Sequence, residues 1–222
     1  MKQISTVWFL LSVCVWCSAQ SISIMVSIYG EEETVKEELQ YDTDGMITLY
    51  KKTIIPTGEI NELITVTKSK NGLVIEETSK NKTNVRYVTY EGNKLMIEKH
   101  YHNSDKVSHN TISKIGNDIF YTYNREVINR YDSARKQLFD KNNTLILERK
   151  GNILYARKSN EAEITLVERK KEYMRIEDQI LPPIMPASIY TIRGDVSALK
   201  KAFLLNYIIL PFDLRYLLFF ID

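Results

Sequence analysis

The sequence predicts an all-β protein: an antiparallel up-and-down meander forming a curved sheet or barrel, with a small apolar segment at its C-terminus. Three observations predict it. Turn-forming clusters recur every 9 to 13 residues or so from Gly45 to about Ile180, as at Asn71-Gly72, Gly92-Asn93, Gly116-Asn117 and Gly151-Asn152, a spacing of one strand plus one tight turn. The runs between them are rich in Val, Ile, Leu, Thr and Tyr, the residues that fit a pleated, half-buried surface. The last twenty residues, from about Ala202, are almost wholly apolar, broken by Asn206, Pro211, Asp213 and Arg215.

The elements follow in order. Met1-Lys2-Gln3 gives one positive charge, Ile4 to Trp16 is apolar, and Cys17-Ser18-Ala19 supplies small residues before Gln20. This is the form of a secretory signal peptide cleaved near Ala19, and it places the protein outside the cytoplasm, secreted or in the periplasm and cell envelope. Both cysteines and both tryptophans fall in that leader, so a mature chain has no thiol chemistry. Ser21 to Ile28 alternates apolar and small polar residues, which suits a strand. Glu31 to Leu39 is the best candidate for a short helix, its acidic start suiting a helix N-terminus, and it reads equally as a solvated connection. Strands are expected over 46–54, 62–67, 73–78, 85–90, 95–101, 107–115, 119–123, 144–148, 153–157 and 164–168. Short connections make neighbours antiparallel, and a twisted sheet of this many strands curls or closes. The meander thus covers residues 20–180. Residues 181–222 form a Pro-rich linker, holding Pro182, Pro183 and Pro186, and the apolar C-terminal segment. That segment is expected to cover the apolar face of the sheet or to make a peripheral membrane contact.

Composition narrows the function classes. The 222 residues are 44% hydrophobic and 26% charged, with 30 basic against 28 acidic side chains, an ordinary globular balance. A formal net charge of +2 lacks the basic excess of a nucleic-acid binder, so no nucleic-acid partner is expected. The sequence has no Gly-x-Ser-x-Gly elbow, P-loop, His-Glu-x-x-His or dinucleotide fingerprint, which points away from an enzyme. A non-catalytic binding or scaffolding module is the expectation. It either holds an apolar ligand such as a lipid or acyl chain, with the C-terminal segment as a lid, or docks an envelope protein through an exposed sheet face. The fourteen tyrosines, many on strands, suit such a face because the ring buries area while its hydroxyl stays wet.

The alternative site is a histidine cluster. His100, His102 and His109 are the only histidines. A hairpin centred on Ser104-Asp105 puts His109 opposite His100 with Glu98 on the same face, a set suited to zinc in a metal-binding protein or hydrolase. No other cofactor is expected. Arg193-Gly194-Asp195 spells an adhesion tripeptide, which reads equally as a Gly-Asp turn. Tyr41-Asp42-Thr43-Asp44-Gly45 and Tyr131-Asp132-Ser133-Ala134-Arg135 resemble the Tyr-Asp-x-x-Gly-Arg core of bacterial YD repeats, the first without the Arg and the second with Ala for Gly. The two fragments cover a small part of the chain, and no function is carried over from them.

Overall fold

The structure, a computed structural model, describes residues 20–27, 33–158, 161–169, 173–181 and 188–219. The leader and the Pro182 to Pro186 linker lie outside them. Sixteen strands follow one another in a single meander. They are β1 (Gln20–Ser27), β2 (Glu33–Tyr41), β3 (Ile47–Ile54), β4 (Glu59–Ser69), β5 (Gly72–Ser79), β6 (Lys82–Glu91), β7 (Lys94–His100) and β8 (Val107–Ile115), then β9 (Asp118–Tyr123), β10 (Glu126–Asp132), β11 (Gln137–Asp140), β12 (Leu145–Lys150), β13 (Ile153–Lys158), β14 (Glu161–Arg169), β15 (Tyr173–Leu181) and β16 (Ser188–Arg193). Each pairs antiparallel with its sequence neighbours, and β16 returns to β1 with Ile192 opposite Ile24, which closes the barrel.

The turns carry the backbone chemistry this requires. Gly92, Gly116 and Gly151 have φ of 59, 61 and 61° and are each followed by Asn in a two-residue loop. One left-handed residue at the first central position is the sign pattern of a type II′ hairpin turn. At the opposite end of the barrel, Lys80-Asn81 and Asn124-Arg125 have positive φ at both positions, as type I′ turns need.

The expected helix over Glu31 to Leu39 is instead strand β2 from Glu33. Its alternate residues Glu37, Leu39 and Tyr41 are buried, while Glu38 faces out and pairs with Lys36. Period-two burial between β1 and β3 outweighs the helical preference of Glu, Lys and Leu. β10, the four-residue β11, β15 and β16 are also strands that sequence patterning does not mark: Glu126–Asp132 is too polar to stand out, and Ser188–Arg193 lies in the stretch read as linker and apolar C-terminal segment.

The C-terminal segment fills the barrel. A 3₁₀ helix (Val196–Ala202) leads into α1 (Phe203–Ile209) and α2 (Phe212–Phe219). Leu199, Ile208, Ile209, Leu214, Leu217 and Leu218 share one core with inward residues of the strands, among them Ile24, Leu39, Tyr50, Ile75, Ile112 and Leu154. Sixteen strands enclose more space than their own side chains can fill, and the chain supplies the filling.

Polar clamps fix it there. Asn206 is fully buried: its Nδ2 donates to the Gly45 and Leu199 carbonyls, both at 2.8 Å, and its Oδ1 accepts from the Ile47 amide at 2.9 Å. Gly45 comes so close to the 3₁₀ helix that a Cβ there would lie 1.9 Å from the Ala198 carbonyl oxygen, and its φ is +75°. Arg86 on β6 donates to the Ile208 carbonyl, and Arg149 on β12 donates to the Phe219 carbonyl at 2.6 Å. Each arginine thus satisfies an orphan carbonyl at a helix C-terminus, where positive charge is favoured.

The inward face is therefore not uniformly apolar. Toward the end opposite Gly45 it carries Glu37 with Lys52 at 3.5 Å, and Glu77 with Lys99 at 3.3 Å and Arg86 at 3.7 Å.

Candidate functional site

An up-and-down meander puts alternate hairpins at the same end. The turns after β4, β6, β8 and β10 therefore lie at the end where β16 gives way to the 3₁₀ helix. At that end a cavity of about 570 Å³ opens between the helical segment and β7 to β10. Its wall is apolar: Leu95, Ile119, Phe203, Leu204, Leu218 and Phe219 contribute, with Tyr131. The Tyr131 ring stacks at 6.2 Å on Phe203 and meets Phe219 edge-on at 4.8 Å, a rigid aromatic floor.

Its mouth is basic. Lys114, Lys136, Lys200 and Lys201 line it with Ser133, and no acidic residue does. Lys114 lies on the inward face of β8, one strand step beyond the buried Ile112. Lys136 belongs to the turn after β10, held by Asp132, whose Oδ1 accepts from the Ala134 and Arg135 amides at 3.0 Å each. Lys200 and Lys201 end the 3₁₀ helix that Asp195 caps by accepting from the Ser197 amide at 3.0 Å. The volume lies in the range of ligand pockets, and apolar walls with a few converging polar groups are their usual composition.

The Arg193-Gly194-Asp195 tripeptide serves this architecture. The Asp195 carboxylate is occupied by Ser197, the Asp195 carbonyl accepts from the Tyr41 hydroxyl at 3.2 Å, and Gly194 packs against Ser21 with a φ of +117°.

The histidines lie elsewhere, on the outer face of β7 and β8. Glu98, not His100, stands opposite His109, and His100 faces Val107. The hairpin turns earlier than its sequence suggests, with Asn103 in the left-handed region at φ 50°, and the register moves by two residues, which preserves the face. Glu98 Oε1 meets His100 Nε2 at 2.5 Å, and Glu98 Oε2 lies 3.9 Å from His109 Nδ1. His102 is in the turn, its amide bonded to Asn84 Oδ1 at 3.1 Å. Among the described residues, no group of three His, Cys, Asp or Glu is placed to hold a metal ion. Glu98 and His109 instead border an outer-face groove of about 720 Å³ that also takes in Tyr87, Met96, Thr111 and Thr122.

Sequence reasoning missed the lysine-rimmed chamber because its residues come from strands and a helix far apart in the chain. The signals available were Lys200-Lys201 just before the apolar run and lysines recurring in alternate turns. No helix among the described residues is long and apolar enough to cross a membrane. Fold and site together define a closed antiparallel barrel plugged by its own C-terminus, with a basic-mouthed apolar chamber at one end. Comparison with known protein families, curated proteins and solved structures gives no match to this chain.

Proposed function

We propose that the protein is a non-catalytic, exported binding module that holds a small amphipathic molecule, with an apolar body and an anionic head, in the chamber at the basic end of the barrel. The observation that carries this reading is the pairing of an apolar wall with four lysines and no carboxylate at one opening. Burying an acyl body against Leu95, Ile119 and Leu218 gains roughly 0.8 kcal/mol per methylene. A carboxylate or phosphate at the mouth exchanges water for ammonium groups in a partly desolvated setting, where such bonds are stronger. The C-terminal segment packs into the barrel core and so acts as part of the chamber wall. The export-type N-terminus supports a setting outside the cytoplasm.

The test is displacement of a fluorescent fatty acid, cis-parinaric acid, by oleate and by oleyl alcohol. Saturable binding at one site is expected, with oleate competing at least about tenfold better than the alcohol, the equivalent of one charge-assisted bond. Lys114→Glu with Lys200→Glu is expected to remove that preference. Absence of saturable binding, or equal competition by acid and alcohol, overturns the reading.

A second reading has its own observation. Tyr87 and Met96 are 46% and 43% exposed on the outer face of β6 and β7, and such a face also suits docking of an envelope protein.

A further inference from the structure

The end of the barrel that carries the chamber differs in charge from the rest of the molecule. The chain as a whole is nearly neutral at +2, yet the chamber mouth is lined by lysines alone among charged residues. Of the carboxylates at this end, Glu91 is exposed at the end of β6, opposite Lys94 and outside the chamber lining, while four others are engaged. Asp42 pairs with Lys68 at 2.9 Å, Asp118 with Arg130 at 3.2 Å, and Asp132 and Asp195 cap their turns. Lys114 and Lys200 have no ion-pair partner among the described residues, and both are exposed. Beside Lys114, at the end of β8, Ile115 is 63% exposed, the most exposed of the large apolar side chains described. The turns at the opposite end mix signs, with Glu59, Asp105 and Glu126 among Lys82, Lys106 and Arg125.

We propose that this end docks on an anionic lipid surface. Lys114, Lys136, Lys200 and Lys201 face the head groups, and Ile115 enters the interface as an apolar toe. The charge complementarity identifies the partner: a basic ring without carboxylates, around an opening to an apolar chamber, matches a layer of anionic head groups over hydrocarbon. With the chamber facing the leaflet, an amphipathic ligand passes between the two without crossing water. This use of the docked state rests on the chamber being a ligand site; the docking itself needs only the surface. The contact differs from one made by the C-terminal segment, whose described apolar side chains Leu199, Ile208, Ile209, Leu214, Leu217 and Leu218 are spent on the barrel core.

The experiment compares vesicles of phosphatidylcholine with and without phosphatidylglycerol, using the whole protein. Co-sedimentation is expected only with the anionic vesicles, and is expected to weaken as salt shortens the Debye length toward about 3 Å at 1 M. Each lysine exchanged for glutamine is expected to lower partitioning about fivefold, the equivalent of about 1 kcal/mol per basic residue near such a surface. Residues 20–222 contain no tryptophan, so Ile115→Trp provides a reporter whose emission, measured against the unsubstituted protein, shifts to the blue on anionic vesicles. Ile115→Asp is expected to weaken vesicle binding while leaving parinaric acid uptake in solution unchanged. Retention on neutral vesicles equal to that on anionic ones, or an unshifted tryptophan, overturns the docking. Fatty acid uptake without vesicle binding removes the docking and keeps the chamber as a ligand site; vesicle binding without uptake does the reverse.

Discussion

Asn206 shows how a single side chain sets the position of a whole segment. It uses both amide protons and a carbonyl lone pair on three backbone groups from two parts of the chain. Replacing it with Leu, which has the same branched skeleton, leaves the Ile47 amide and the Gly45 carbonyl buried without partners. Each such group costs about 1 to 3 kcal/mol, so Asn206→Leu is expected to lose at least about 2 kcal/mol in a urea melt despite its greater apolarity. An unchanged midpoint would mean that the segment is held by apolar packing alone. Asn206 is visible in the sequence as the first polar break in an apolar run, but its partners are not: Gly45 and Ile47 lie far away in the chain.

At the scale of elements, the hairpin between β2 and β3 joins local turn chemistry to titration. Asp42 Oδ1 accepts from the Asp44 and Met46 amides at 3.0 Å each, and Oδ2 pairs with Lys68. Partial burial pushes the Asp42 carboxyl up, but the Lys68 ammonium and the two backbone amides outweigh it and hold the carboxyl below its ordinary value. A carboxylate lowered in the folded state adds stability above its unfolded pKa, near 3.9, and loses it as pH falls through the folded value. Asp42→Asn is therefore expected to cost stability at neutral pH and to flatten the acid limb of the stability curve below about pH 4. A variant whose acid limb matches that of the parent would remove Asp42 from the account. The same hairpin explains why β2 was illegible as a strand. Its Glu and Lys residues favour helix locally, and only pairing on both sides makes Glu37 and Leu39 inward positions.

At the scale of the whole molecule, two arginines tie the plug to the barrel. Arg149 donates Nε to the Gly151 carbonyl at 2.8 Å and Nη1 to the Phe219 carbonyl at 2.6 Å, while Arg86 serves Ile208. Burial pushes the Arg86 guanidinium down from its usual value, and the nearby Glu77 carboxylate opposes that shift. Arg149→Leu is expected to destabilise by about 2 to 3 kcal/mol, the loss of a charge-assisted bond at a buried helix end. It is also expected to raise binding of an exposed-core dye before the main thermal transition, as α2 loosens from the wall. A single transition without early dye binding would show that the plug and barrel unfold as one unit regardless of this contact.

Strand direction and the presence of a sheet were written in the sequence, because hairpin turns are local; the count of sixteen was not, since β2, β10, β11, β15 and β16 carry no clear strand pattern. Gly-Asn pairs with left-handed glycine, and alternating apolar residues between them, force an antiparallel meander wherever they recur. So was the apolar cover, read from Ala202 onward. Closure of β1 on β16, the seating of the C-terminal segment inside the barrel, and the gathering of Lys114, Lys136, Lys200 and Lys201 around one chamber were decided by tertiary structure alone. These depend on pairing between distant parts of the chain, which no local pattern encodes. The same holds for the histidines: His100 and His109 share a strand face as period two requires, while His102 in the turn and Glu98 opposite His109 followed from where the backbone turns.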